Sequence, residues 1–329
     1  MLNNNIGLQV TVVVPAYRVT NHILQVLKSM PDIVSKIFVI DDACPDGSGK
    51  LVEAQAADKR ISVLYLPDNQ GVGGAVMAGY AAAMKFGADI IVKVDGDGQM
   101  DPRLIPILIA PIIHCEADYT KGNRFNDIEA VKGMPAIRIF GNAVLSFLNK
   151  LSSGYWNIFD PTNGYTAIHA AVCKKLPLKK ISSRYFFESD MLFRLNTLRA
   201  VVVDIPMEAK YGEEKSNMRI SKIAFEFFVK HNKNLVKRVF YNYFLRDLSL
   251  ASIQLIFGLI LTIFGACYGS YHWYTSAQLG LSTPAGTVML AAMPVLVGLQ
   301  FVLSFVGYDI ASVPRSPLQR TLTYTQSNV

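Results

Sequence analysis

No C-x-x-C pair joins the four cysteines (Cys44, Cys115, Cys173 and Cys267) and no H-E-x-x-H joins the five histidines. Neither a zinc site nor a disulfide framework is indicated, and a reducing cytosol fits. No G-x-x-x-x-G-K followed by Ser or Thr occurs, and the first apolar run leads into Pro15-Ala16-Tyr17 instead of G-x-G-x-x-G, which removes the P-loop and dinucleotide readings. Residues 1–9 carry no basic stretch leading into an apolar core, so no cleaved signal peptide is expected. Charge is sparse too: 17% of the 329 residues are charged against 51% hydrophobic, and a mean hydropathy of +0.28 is too high for a purely soluble protein. The charges present sum to +7, which points to an anionic partner: nucleic acid, a phosphate substrate or a lipid surface.

The β-branched run 10–14, closed by Pro15, reads as the first strand of a sheet. Ile23, Val26, Leu27 and Met30 then recur at helical spacing, and Ile37-Phe38-Val39-Ile40-Asp41-Asp42 reads as a second strand ending in carboxylates. This β-α-β order implies an α/β fold whose ligands bind outside the carboxyl ends of the strands, so Pro15, Tyr17, Asp41, Asp42, Asp95 and Asp97 face one crevice. The run 90–94 is a buried strand that stops at Asp95-Gly96-Asp97-Gly98-Gln99. Residues i and i+2 of an extended chain point the same way, so Asp95 and Asp97 can offer oxygens to one hard cation, Mg²⁺ or Mn²⁺; a solvated Asp-Gly turn is the alternative. An EF-hand loop is excluded, because its sixth and twelfth positions fall on Met100 and Pro106. Residues 70–75, rich in glycine, open a helix and serve either close packing or a phosphate, with packing the reading we adopt.

Residues 12–17, Asp41-Asp42, 69–79 and the D-x-D-x-Q of 95–99 resemble the family 2 glycosyltransferases of GT-A fold, in the branch similar to dolichyl-phosphate mannose synthase and bacterial polyprenyl-phosphate glycosyltransferases. The likeness runs through about residue 230. It implies that Pro15, Tyr17, Asp41, Asp42 and Asp95 bind the nucleotide, and that Asp95, Asp97 and Gln99 hold the metal on the diphosphate. Arg124 matches the family's Gly-Ser/Asn-Arg motif, and Arg124 and Arg138 are candidates for gripping phosphates, since an Arg fork matches phosphate geometry. The stretch 160–166 resembles the D-P-T-S-G-F-R loop beside the donor sugar, which makes Asp160 a candidate; Tyr165-Thr166 replaces Phe-Arg, so that Arg's role does not transfer. Glu188 and Asp190 stand where the superfamily keeps an acidic residue near the acceptor, and an N-cap role for Asp190 is the alternative. In the resembling enzymes the region of Lys210, Lys215, Ser216 and Lys222 approaches the acceptor phosphate.

Residues 220–247 mix aromatic and basic side chains in an amphipathic pattern suited to an anionic lipid surface. The runs 248–271 and 285–308 contain no Asp, Glu, Lys or Arg and are long enough to cross a bilayer. The loop between them has no Lys or Arg, whereas basic residues precede the first span and Arg315 and Arg320 follow the second, so catalytic domain and tail are expected on the cytoplasmic side. The expected organisation is a mostly parallel GT-A domain (1–219), interfacial helices (220–247), two transmembrane helices (248–310) and a tail (311–329). The expected activity is metal-dependent, inverting transfer of a single sugar from a UDP- or GDP-linked donor to polyprenyl phosphate. A polymerising synthase is the enzyme alternative, but no Q-x-x-R-W occurs and two spans are few for a channel; a non-catalytic sugar-nucleotide-binding adaptor is the other. The basic residues cluster beside the spans, which favours lipid over nucleic acid, and homo-oligomer formation stays open.

Overall fold

The computed structural model describes residues 7–125, 136–207 and 220–326. Among them, β1 (Val10–Ala16), β2 (Val34–Asp41), β3 (Ile61–Tyr65), β4 (Ile90–Lys93), β5 (Tyr119–Asn123), β6 (Thr166–His169) and β7 (Val202–Pro206) form a sheet in the order β3-β2-β1-β4-β6-β5-β7. The helices are α1 (Ile23–Lys28), α2 (Ser48–Gln55), α3 (Gly71–Phe86), α4 (Ile105–Ile113), α5 (Ala136–Ser153), α6 (Ala170–Cys173), α7 (Phe187–Leu198), α8 (Ile220–Phe240), α9 (Leu250–Gln278), α10 (Ala285–Ala311) and α11 (Leu318–Gln326).

Strands β1 to β4 pair in parallel, as do β5 and β7, whereas β6 is antiparallel to both β4 and β5. The expected mostly parallel sheet is therefore present, and its exception has a consequence for chemistry. An antiparallel β6 enters the sheet at the edge where its neighbours end, so the loop before Thr166 lies beside the carboxyl ends of β4 and β5, with Thr166 opposite both Lys93 and Lys121. Val12, Val14, Ile37, Val39, Ile90 and Val92 pack with Ile105, Leu108, Ile109 and Ile112 of α4 in a fully buried core. The glycine-rich start of α3 serves packing: a Cβ on Gly73 would lie 2.7 Å from Phe187 Cβ and collide with the Ser182 carbonyl.

The chain divides into two compact units, residues 1–235 with 314–329, and residues 236–313. In the first unit the chain's last helix is fixed by a buried carboxylate: Asp118 accepts from the amides of Leu318 and Gln319 at 2.7 Å each and from Val201 at 2.8 Å. Two of these charge-assisted bonds satisfy amides at the helix N-terminus that have no intrahelical partner, and the third ties the same carboxylate to the chain entering β7. The second unit is built on α9 and α10, each with an 18-residue stretch of mean hydropathy 2.2. At 29 and 27 residues they are each about 40 Å long, more than the roughly 30 Å of a bilayer's hydrocarbon. Ile260, Ile263, Phe264, Leu296 and Leu303 are exposed on them, the pattern of helices solvated by lipid. Near the end of α10, buried Asp309 receives both terminal nitrogens of Arg238 (2.6 and 3.0 Å) and the Tyr243 hydroxyl (2.5 Å), so these two buried charges are paired.

Candidate active site

At the carboxyl end of β2 the two aspartates are buried and already bonded to backbone. Asp41 accepts from the amides of Cys44 and Gly49, both at 2.7 Å, which shapes the turn into α2. Asp42 accepts from Gln70 (2.7 Å) and Gly71 (2.8 Å), fixing the start of α3. Pro15 pairs with Ile40 at the end of β1, and Tyr17 beyond it is exposed. Pro15, Tyr17, Asp41 and Asp42 thus line the same sheet edge, and the two carboxylates act first on the walls of the crevice.

Next along the edge, Asp95 and Asp97 follow β4. Asp95 turns both oxygens to Lys93 Nζ, at 2.8 and 3.1 Å. Asp97 is half-buried and accepts from the Gln99 amide at 3.0 Å, and Gln99 itself is exposed. Among the described residues no three carboxylate, imidazole or thiolate groups converge. Carboxylates at positions 95 and 97 and a side-chain amide at 99 supply only oxygen donors, a set that fits a hard cation taking its remaining ligands from a diphosphate.

Beneath the aspartates lies a charge cluster that the sequence reading did not single out. Lys93 is 1% exposed and lies 3.8 Å from Glu188 Oε1 as well as against Asp95. Burial opposes the Lys93 charge, but Asp95 and Glu188 outweigh it and hold the ammonium above its ordinary range. Burial pushes the Glu188 carboxyl up while Lys93 and Lys121 pull it back. Lys121, on β5, is equally buried and donates to the Asn163 carbonyl; burial brings it down to about 8 against the pull of Asp160, Glu188 and Asp204. Asp204, on β7, is pushed up to about 6 by burial although the Phe159 amide donates to it at 2.9 Å. The one available signal was Lys93 closing the apolar run of β4, since a charge there demands a partner; the mixed sequence of β5 gave none for Lys121.

Arg124 and Asp160, separate candidates in the sequence, form one unit. The guanidinium grips the fully buried carboxylate through Nε (2.8 Å) and Nη2 (3.1 Å). Glu188 and Asp190 separate. Glu188 belongs to the cluster under the aspartates, whereas Asp190 accepts from the Ser182 amide (2.9 Å), Asn234 Nδ2 (3.1 Å) and Arg194 Nε (3.4 Å), tying the loop before α7 to α8. Arg138 and Lys222 lie on α5 and α8 with side chains outside the described residues, as are Lys210, Lys215 and Ser216 entirely.

The profile of Glycosyl transferase family 2 matches residues 11–177. The undecaprenyl-phosphate mannosyltransferase of Micrococcus luteus is 31% identical over 215 residues, 63% of this chain and 87% of that one. A UDP-N-acetylglucosamine–dolichyl-phosphate N-acetylglucosaminyltransferase of Methanococcus voltae is 27% identical over 61% of this chain and 85% of its own. Glucosyl-3-phosphoglycerate synthase from Mycobacterium tuberculosis, solved with Mn²⁺, uridine diphosphate and glucosyl-3-phosphoglycerate, superposes with a TM-score of 0.54 at 18% identity, covering 70% of this chain and 80% of that one. The sheet order, the carboxylates at its edge and these matches together make the chain a member of glycosyl transferase family 2.

Proposed function

We propose that the protein transfers one sugar, with inversion, from a nucleotide diphosphate to polyprenyl phosphate. The observation that carries this reading is the pair Asp95 and Asp97 at the end of β4, set among buried cations in a chain that also has two helices of bilayer length. The prenyl-phosphate acceptors in the names of the relatives support the acceptor class.

The acceptor phosphate oxygen forms its bond to the anomeric carbon as the bond from that carbon to the diphosphate oxygen breaks, and the electron pair leaves on the diphosphate. A phosphate monoester is already anionic near neutral pH, so the acceptor needs no general base. Asp97, Gln99 and Asp95 would hold Mg²⁺ or Mn²⁺, which stabilises the leaving diphosphate. Asp160 holds the Arg124 guanidinium at the end of β5, where its charge offsets that of two phosphorylated substrates brought together. Asp41 and Asp42 keep the nucleotide wall preformed, so little of the binding energy goes into ordering it.

Membrane attachment follows from the same unit. Helix α5 is inverted: Ser146, Asn149, Ser152 and Ser153 are buried while Ile139, Phe140, Val144 and Phe147 are exposed. Such a helix suits an apolar medium on its outer side. Ser152 Oγ lies 2.7 Å from His231 Nδ1 on α8, whose Phe225, Phe228 and Val229 are also exposed. The first compact unit holds the chain both before and after the hairpin of α9 and α10, which supports one cytoplasmic side for the catalytic domain and the tail. The test is purified protein in lipid nanodiscs with undecaprenyl phosphate and a panel of UDP- and GDP-sugars. A lipid-phosphate sugar is the expected product, and no transfer from any donor overturns the proposal.

A further inference from the structure

We infer that Lys93 is a positioning residue that couples metal binding to the nucleotide diphosphate, by cancelling the charge of Asp95 in the bare site. The inference rests on the metal-dependent transferase reading above. Its basis is geometric. Lys93 is fully buried on β4, and its ammonium lies within 3.1 Å of both Asp95 oxygens and 3.8 Å from Glu188. The first carboxylate of the D-x-D is thus oriented toward an internal cation. An ammonium directly behind a carboxylate both orients it and repels a second cation, and in a water-poor setting that repulsion is little screened.

The loop above the pair is built around it. A Cβ on Gly164 would collide with Lys93 Nζ, stand 2.9 Å from Asp95 Oδ2 and 3.2 Å from Met100 Cε. Gly164 sits at the end of the 160–164 loop that also carries Asp160, and its lack of a side chain leaves the space that the ammonium and carboxylate share.

The consequence is an order of assembly. With Asp95 neutralised, the bare site offers a divalent ion chiefly Asp97, and the affinity is low. A nucleotide diphosphate supplies the missing negative oxygens, so ion and nucleotide enter with strong positive coupling. Without Lys93 both aspartates are released to the ion, the bare site binds it more tightly, and the coupling falls.

The experiment titrates the full-length protein with Mn²⁺ alone, and with Mn²⁺ plus UDP or GDP, following free Mn²⁺ by electron paramagnetic resonance. Wild type is expected to bind Mn²⁺ at least about tenfold more tightly with its nucleotide than without. Lys93→Met is expected to bind bare Mn²⁺ about three- to tenfold more tightly than wild type and to lose most of the nucleotide dependence. Because Lys93→Met removes the cation 3.8 Å from Glu188, Lys93→Met/Glu188→Gln is measured alongside it, and Gly164→Ala, whose Cβ would collide with Lys93 Nζ, is expected to move in the same direction. General damage to the fold weakens Mn²⁺ binding and so has the opposite sign. Unchanged or weaker bare-site affinity in the folded variants overturns the role of Lys93. Wild type that binds no Mn²⁺ with either nucleotide instead removes the metal-dependent reading on which it rests, and the inference with it.

Discussion

The two halves of the sheet use their charges differently. On the β3-β2-β1 side, Asp41 and Asp42 spend their oxygens on four backbone amides, all from residues within the same half, and the outcome is a wall of fixed shape. On the β4-β6-β5-β7 side, charged side chains meet one another: Lys93 with Asp95 and Glu188, Arg124 with Asp160, and Lys121 and Asp204 close by. Carboxylates bonded to amides cannot move without unmaking a turn, whereas a cluster of mutual counter-ions can redistribute charge when an anionic donor and a cation arrive. The first half is suited to holding what does not change in the reaction, and the second to meeting what does.

The sharpest way to break this contrast is to remove a charge that the second half directs at the crevice. Asp97→Ala is expected to lower transfer by about a thousandfold or more, since Asp97 is the aspartate not turned to Lys93. Initial rates of lipid-phosphate sugar formation measure it, and the thermal midpoint is expected to stay close to wild type. Activity within a few-fold of wild type would leave the aspartates as a turn. Asp160→Asn comes next. It keeps the shape but leaves Arg124 facing an uncharged amide, and should cost about a hundredfold in rate and about 1–3 kcal/mol in stability by urea denaturation.

Legibility in the sequence follows the same divide. Strands β1, β2 and β4 announce themselves as apolar, β-branched runs, the last two with carboxylates at their ends, and the rule that parallel strands present ligands at those ends was enough to gather Pro15, Tyr17, Asp41, Asp42, Asp95 and Asp97 on one edge. The two apolar helices were equally plain from length and hydropathy. What sequence patterning does not carry is pairing between distant segments. Arg124 and Asp160 are 36 residues apart, and the bond between them depends on β6 running antiparallel, which no local signal gives. Glu188 and Asp190 are two residues apart on one helix and take unrelated roles, because which faces Lys93 and which faces Ser182 depends on the phase of α7 against the sheet. Lys93 stood in plain view at the end of an apolar strand and Lys121 in a polar one, and only their burial marks them as members of the site.

The pH dependence of stability sharpens the contrast further. Asp204 titrates at about 6 in the folded protein against an ordinary value of 3.8, chiefly because it is buried. Between those values the folded chain holds a proton that the unfolded chain has released, so this group's contribution to stability falls as pH rises from about 4 to about 6. The size is about 3 kcal/mol, spread over that window. In Asp204→Asn this component should vanish, seen as a flatter plot of urea stability against pH. A plot that parallels wild type would mean that the charge at Asp204 is already compensated by Lys121. Asp41 and Asp42 in the other half are bonded to backbone amides instead, and their replacement by Asn should lower stability by loosening the turns they hold.

The smallest effect concerns the outer surface of α5, whose inverted pattern distinguishes it from α3 and α4, which turn their apolar sides into the core. If lipid covers Phe140 and Phe147, replacing both by serine removes apolar contacts that draw the first unit toward the bilayer without touching the crevice. The expected outcome is a KM for polyprenyl phosphate in nanodiscs raised about threefold at unchanged kcat, with the KM for the sugar nucleotide unaffected. The split between the two substrates is the decisive reading. A donor and an acceptor KM that rise together would mean that α5 supports the site through packing, and a higher thermal midpoint in detergent with no kinetic change would mean that its apolar face meets nothing in the working enzyme.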